Sequence, residues 1–218
     1  MATKPEEPKL GNHKYNTVYD QSTPEIYDQW AADGYDKTVA SNSIAVHNLV
    51  SHFLSLVDST TNTPLRLLDA GCGTGRVAEV CRAQAPASNI EIGQIDGIDY
   101  SPGMMDVARS KKELYSLLDV VDLTKPFPKT YLDNTYDAML CSGVFLQGHV
   151  GPEAIPELSR VVKPNGMLCF TVRPTFFEET KEKWLLALEE SGVDLIETKM
   201  LDYCPPGLKA PMLFCRKR

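Results

Sequence analysis

Apolar and polar positions follow one another in blocks along this chain, and the blocks predict strands and helices in turn. Leu65, Leu67 and Leu68 form a short apolar run of the kind found in a strand covered on both faces. Val77, Val80 and Cys81 then fall at helical spacing within residues 76–83. Similar runs predict strands near 65–70, 91–99, 115–121, 136–141, 167–172, 194–203 and 211–216. Helices are predicted near 24–36, 40–57, 74–84, 102–111, 152–162 and 177–191. Strands alternating with helices imply a parallel sheet with helices on both faces. Residues 205–209, Pro-Pro-Gly-Leu-Lys, are too few for a crossover helix, so the last two strands should pair antiparallel.

The join between the first strand and its helix carries the densest chemistry. Asp69, Gly71, Gly73 and Gly75 follow the leucines directly. Glycines supply backbone angles denied to other residues and leave room for a ligand. A loop at the carboxyl end of a parallel strand is where open α/β sheets bind ligands. A dinucleotide fingerprint needs Gly-x-Gly-x-x-Gly/Ala, and here Arg76 holds the third position. Asp69 would also repel a pyrophosphate. No Gly-Lys-Ser/Thr follows, which excludes a P-loop. A ligand with a positive end fits better, and S-adenosylmethionine carries an ammonium and a sulfonium against one carboxylate. The bland alternative is a tight strand-to-helix turn that holds no ligand.

The next segment, 95–104, reads as a second strand that ends in an acid and leads into a helix. Ser101 suits the N-cap and Pro102 the first helical position. Asp99 stands somewhat over ~20 residues past the glycines, where an acid can accept hydrogen bonds from both ribose hydroxyls. Asp96 reads as a residue at the start or edge of that strand.

On these residues the chain resembles a class I S-adenosylmethionine-dependent methyltransferase, nearest to the methyltransferase-like branch related to the Williams–Beuren region protein 27. Asp69, Gly71, Gly73 and Gly75 meet the family's Asp/Glu-x-Gly-x-Gly-x-Gly motif in full. The likeness continues through 97–104, Asp122-Leu123, 136–142 and 158–166. Tyr27-Asp28-Gln29-Trp30-Ala31 with Tyr35-Asp36 resembles the family's N-terminal lid helix, and 147–154 carries the likeness to the narrower branch. The resemblance implies a Rossmann-like three-layer α/β sandwich whose seven-stranded, mostly parallel sheet has an antiparallel final strand beside strand five. It implies a single domain over 13–218, with lid helices at 13–60 and the core at 61–218, while the Lys-, Glu- and Pro-rich composition of residues 1–12 predicts a disordered tail.

The resemblance also implies a cofactor site for S-adenosylmethionine, with S-adenosylhomocysteine as product. Tyr27, Asp69, Gly71, Cys72, Gly73, Gly75, Asp99, Tyr100, Met104, Asp122, Leu123, Cys141 and Ser142 are its expected members. Asp122 would accept from the adenine amino group or else cap a turn. Met104 would pack on the ring or else serve the core. Tyr27 would reach the methionine end or else pin its helix. For the acceptor, Phe145, Phe176 and Phe177 are expected to form a wall, with Arg173 engaging an acidic group. His149 stands just before the helix start at Pro152, and an imidazole there could take a proton from a hydroxyl or thiol. It would otherwise order its own loop. Tyr15, Tyr19 and Trp184 add aromatic surface, while His13, His47 and His52 read as tail or lid-helix residues.

Charge and composition narrow the partners. The net charge of −7 across 218 residues argues against a general nucleic-acid binder, which needs a basic stripe. No run approaches the ~20 apolar residues of a membrane span. Six dispersed cysteines without a Cys-x-x-Cys pair point to reduced, buried thiols, no metal site and a cytoplasmic setting. The expected reaction is methylation of a small organic molecule, oxygen before sulfur or nitrogen, by a monomer or homodimer without nucleic-acid or membrane partners. Two other readings stay open: a non-methylating cyclisation or rearrangement that uses the cofactor as a bound element, and a non-catalytic cofactor-binding partner protein.

Overall fold

The computed structural model describes residues 27–28, 44–60, 63–203 and 208–218. The tail at 1–12, His13, Tyr15, Tyr19, Trp30, Tyr35, Asp36 and Cys204 lie outside the described residues. In chain order the elements are α1 (Ile44–Leu56), β1 (Leu65–Ala70), α2 (Arg76–Gln84), β2 (Ile92–Asp99) and α3 (Pro102–Ser110). Then come β3 (Leu117–Val120), β4 (Tyr136–Phe145), α4 (Ile155–Val161), β5 (Val162–Val172), α5 (Pro174–Glu190), β6 (Val193–Asp202) and β7 (Lys209–Lys217).

One seven-stranded sheet runs in the order β3-β2-β1-β4-β5-β7-β6. The strands from β3 to β5 pair parallel, and β7 pairs antiparallel with both β5 and β6. The sheet therefore has the expected class and the expected final insertion. The strand order reverses beside β1, so the loops after β1 and β4 open onto the crevice where such sheets bind ligands.

Neighbouring residues of β1 show how the sheet divides the core. Leu67 joins Phe53, Cys81, Leu140 and Phe214 on one face, while Leu68 joins Tyr136, Leu158, Phe170 and Trp184 on the other. Both leucines are essentially inaccessible, as the unbroken apolar run requires. Helix α1 belongs to the first of these layers. Its Leu49, Val50 and Phe53 are fully buried, so residues 44–56 build the sandwich instead of forming a lid, against the expectation for 13–60.

Several element boundaries differ from the sequence reading, and β5 already begins at Val162 instead of near 167. Strand β4 continues to Phe145 through a register shift after Cys141. Helix α5 starts at Pro174, because Pro suits a first helical position after the extended Arg173. The helix expected at 152–162 is a 3-10 turn at Pro152–Ala154 followed by α4. Asp96 is no edge residue: it is 1% exposed in the middle of β2. Five of the cysteines are free and buried. Among the described residues no helix is long and apolar enough to cross a membrane, and no cluster of ligating side chains could hold a metal.

Candidate cofactor and acceptor site

A cavity of about 290 Å³ opens at the carboxyl end of β1, β2 and β4. That is near the small end of the roughly 300–1,000 Å³ usual for ligand pockets. The cavity brings together Tyr27, Gly71, Gly73, Asp99, Tyr100, Met104, Asp122, Leu123, Ser142 and His149 from the expected set. Thr124, Gly143, Val144, Gly148 and Val150 complete its lining.

The glycine loop is built by backbone angles. Gly71, Gly73 and Gly75 have φ of +70°, +52° and +99°, a region costly to residues with a Cβ. A Cβ on Gly71 would collide with Val144, so that glycine also lets the end of β4 pack on the loop. A Cβ on Gly73 would meet no protein atom within 4 Å, which leaves open room where the loop lines the cavity. Gly71 N and Cys72 N both donate to Ile98 O, at 2.7 and 2.9 Å, and tie the loop to β2.

Asp99 meets the loop from β2. Its Oδ2 accepts from Gly73 N at 2.8 Å and its Oδ1 from Ser101 N at 2.9 Å. Tyr100 N is a third backbone donor to this carboxylate, which leaves about one of its roughly four acceptor sites for a ligand hydroxyl. Burial pushes this carboxyl above its ordinary range, against the pull of those backbone donors. Ser101 caps α3, accepting from Met104 N at 3.1 Å. Asp122 closes a turn, its Oδ1 accepting from Thr124 N and Oγ1 at 2.8 and 2.7 Å, so Oδ2 is the oxygen left to face a ligand.

Tyr27 and Asp28 bridge two sides of this opening. Asp28 Oδ1 accepts from Ser101 Oγ at 2.5 Å and from Gly103 N at 2.7 Å, at the N-terminus of α3. Gly103 must be glycine there, since a Cβ would lie 2.8 Å from the Asp28 Cα. Tyr27 OH lies 3.5 Å from His149 Nδ1, with the rings edge to face at 5.9 Å.

Other expected members sit elsewhere. Asp69 is 1% exposed, does not line the cavity, and accepts from Tyr115 OH at 2.6 Å through Oδ2. Its Oδ1 has no hydrogen-bond partner among the described residues. Burial pushes its carboxyl up to about 7, with the nearby Asp99 charge adding to it and the Tyr115 hydroxyl and, more weakly, the Ala78 N–H opposing. Cys72 and Cys141 are buried behind the cavity wall, where burial and the two aspartates push their thiols far up. Gly75 packs under Leu114 and Tyr115.

The expected acceptor wall is displaced. Phe145 is 1% exposed and packs on Phe170 and Trp184, at 5.2 and 5.0 Å between ring centres. Phe177 belongs to the same core and Phe176 packs edge to face on Trp184. Arg173 precedes α5, and its N donates to Phe145 O. Neither they nor Arg173 line the cavity. The wall on that side is Ser142, Gly143 and Val144, in the irregular end of β4. No periodic pattern in the sequence marks such a bulge. The nearest signal was Gly143, whose φ of +78° breaks the strand alternation.

The arrangement suits a nucleoside with a cationic tail. Carboxylate acceptors at Asp99 and Asp122 flank apolar Met104 and Leu123, and an acid with an unmet oxygen lies behind the glycine loop. Comparison with known proteins agrees in kind. A family model described as a methyltransferase domain matches residues 68–170. Human methyltransferase-like protein 27 is 35% identical over 173 residues, covering 77% of this chain and 66% of that protein. Malonyl-(acyl-carrier protein) O-methyltransferase of Halalkalibacterium halodurans is 28% identical over 187 residues, covering 84% of this chain and 67% of the relative. The chain thus spans about two thirds of these relatives, and just under that share of the human one at 66%. Magnesium protoporphyrin IX methyltransferase of Synechocystis, solved with S-adenosylhomocysteine bound, has a TM-score of 0.63 at 15% identity, covering 94% of this chain and 100% of that one. At that identity the likeness concerns the fold.

Proposed function

We propose that the chain is a class I S-adenosylmethionine-dependent methyltransferase that methylates a small organic acceptor, oxygen first, by in-line displacement; the methyltransferase-domain match over residues 68–170 and the 35% identity to human methyltransferase-like protein 27 support the family. The observation that carries this reading is the meeting of Gly71, Gly73, Asp99 and Asp122 around one cavity whose remaining wall mixes apolar Met104, Leu123, Val144 and Val150 with polar Tyr27, Thr124, Ser142 and His149. The preference for oxygen is supported by the relative named as an O-methyltransferase, at 28% identity.

When bound, S-adenosylmethionine supplies a methyl group already activated on a sulfonium. The residues then have to bind, orient and exclude water. Asp99 would accept from a ribose hydroxyl through the acceptor capacity that Gly73 N, Ser101 N and Tyr100 N leave. Asp122 Oδ2 would accept from the adenine amino group, with Met104 and Leu123 against the ring. Ser142, Gly143, Val144 and Val150 would receive the acceptor, and positioning alone can supply roughly 7–11 kcal/mol of the barrier reduction. His149 would take the acceptor's proton where one must leave, with Tyr27 OH fixing the ring from its Nδ1 side.

Two measurements test this. Calorimetry with S-adenosylhomocysteine is expected to show binding, and no binding at any pH overturns the reading. Transfer of labelled methyl groups into a panel of small hydroxyl, thiol and amine acceptors is expected to label a hydroxyl compound first. In the labelled assay, His149→Ala is expected to lower turnover at least about 100-fold while leaving S-adenosylhomocysteine affinity within about two-fold. Unchanged turnover would remove His149 from the chemistry.

A further inference from the structure

We infer that Tyr115 is a positioning residue for the cofactor loop, acting through Asp69: its ring fills the slot left by two glycines, and its hydroxyl holds the carboxylate that leads into Gly71. The inference rests on the reading of the cavity as the cofactor site.

The geometry is local and three-sided. Tyr115 precedes β3, and its ring lies across the sheet toward β1. A Cβ on Gly97, in β2, would fall 2.8 Å from Tyr115 Cε1. A Cβ on Gly75, at the start of α2, would fall 3.2 Å from Tyr115 Cε2. Both glycines therefore make room for this ring, together with Leu118 beside Gly97 and Leu114 beside Gly75. At its tip the hydroxyl donates to Asp69 Oδ2 at 2.6 Å, a bond between a neutral donor and a buried acid. Gly97 is the register partner of Asp69, so the ring crosses the rung on which the carboxylate sits. Asp69 is followed by Ala70 and then by the cavity-lining Gly71, so a shift of this carboxylate moves the loop directly.

Among the described residues no cation shares the pocket. The groups that face Asp69 are Tyr115 itself, the Ala78 backbone N–H and Cys81 on α2, Cys72 in the loop, Asp99 on β2 and Cys141 on β4. All are neutral or acidic, and Tyr115 OH is the side-chain donor among them that reaches the carboxylate. Burial and the Asp69 charge push the phenol far above its ordinary range, so it stays a donor throughout the working pH range. Removing that donor drives the Asp69 carboxyl further up from about 7 and leaves it neutral over more of that range. The loop then loses both its anchor and the negative charge that faces the cofactor's cationic end.

Tyr115→Phe keeps the ring and removes the hydroxyl. Calorimetry with S-adenosylhomocysteine from pH 6 to 9 is expected to show about ten-fold weaker binding near pH 7. The gap should narrow toward pH 9, where the carboxylate ionises without help. Wild-type affinity and an unshifted pH profile in a folded Tyr115→Phe protein would overturn the inference, as would a gap that is constant with pH. Unfolding of Tyr115→Phe would also overturn it, because a hydroxyl that acts on the loop leaves the core standing. Absence of binding by the unaltered protein would instead overturn the cofactor reading itself.

Discussion

Two aspartates one rung apart show what distinguishes the faces of this sheet. Asp69 of β1 pairs with Gly97, and its neighbour Leu68 pairs with Asp96 of β2, so the two carboxylates point to opposite faces. Each is 1% exposed and each accepts a tyrosine hydroxyl, from Tyr115 at 2.6 Å and from Tyr136 at 2.9 Å. They part company in their cations. Asp96 also accepts from Arg66 Nη2 at 2.8 Å, and the guanidinium lies 5.2 Å from the centre of the Tyr136 ring. Asp69 has no such partner among the described residues, only Asp99 and three thiols. The first face neutralises its buried acid from within the protein. The second leaves the charge uncompensated beside the cavity, where a cationic ligand would complete it. Local choices that cost stability are expected to gather at functional sites.

The largest effect that would test this contrast lies on the paired face. Asp96→Ala leaves the Tyr136 hydroxyl buried without an acceptor and Arg66 without its carboxylate. Breaking a fully buried pair costs roughly 3–5 kcal/mol, and the 41% exposure of the Arg66 side chain lowers this to about 3 kcal/mol. Urea unfolding should show that loss, while S-adenosylhomocysteine affinity stays within two-fold of wild type at about 25 °C. A loss under about 1 kcal/mol would mean that Asp96 is no more stabilised than Asp69.

Asp69→Asn should act in the opposite direction, and only at neutral and alkaline pH. The carboxyl titrates at its ordinary 3.8 in the unfolded chain and near 7 in the fold. Between those values the folded state binds a proton that the unfolded state has lost. Stability therefore falls as pH rises through that window, by about 1.4 kcal/mol per pH unit, and the full cost persists above pH 7. Asparagine removes the charge and hence that cost. The variant should be more stable than wild type at pH 8 by about 2 kcal/mol, half of that ceiling being lost to imperfect hydrogen bonding of the amide. The gain should vanish near pH 4–5. Parallel stability curves for the two proteins from pH 5 to 8 would show that Asp69 does not titrate in this range.

The same comparison explains what the sequence could reveal. The strands, the sheet class and the glycine loop were legible because apolar runs and acid-flanked glycines are local signals. Asp96 read as an edge residue because its partners Arg66 and Tyr136 stand 30 and 40 positions away. Phe145 was misplaced because the end of β4 is irregular: residues 142–144 turn to the cavity and the next side chain enters the core. Phe177 was misplaced because α5 begins at Pro174, which sets Phe177, Trp184 and Leu188 on one inward stripe. Tyr115 escaped notice because it precedes its strand and acts across two glycines that the fold alone brings together.

Tyr136→Phe gives the smallest expected effect and the sharpest control. It removes from Asp96 what Tyr115→Phe removes from Asp69, a single phenolic donor. On the paired face Arg66 Nη2 still holds Oδ2, and the ring that supports the guanidinium is unchanged. The loss should therefore be that of one hydrogen bond, about 1 kcal/mol, with no change in S-adenosylhomocysteine affinity between pH 6 and 9. On the other face the matching change has no cation to fall back on, and its effect should appear in ligand binding and in its pH profile. If Tyr136→Phe weakened cofactor binding as much as Tyr115→Phe, the two hydroxyls would be interchangeable supports of one core. The asymmetry would then belong to general stability and not to the cofactor loop.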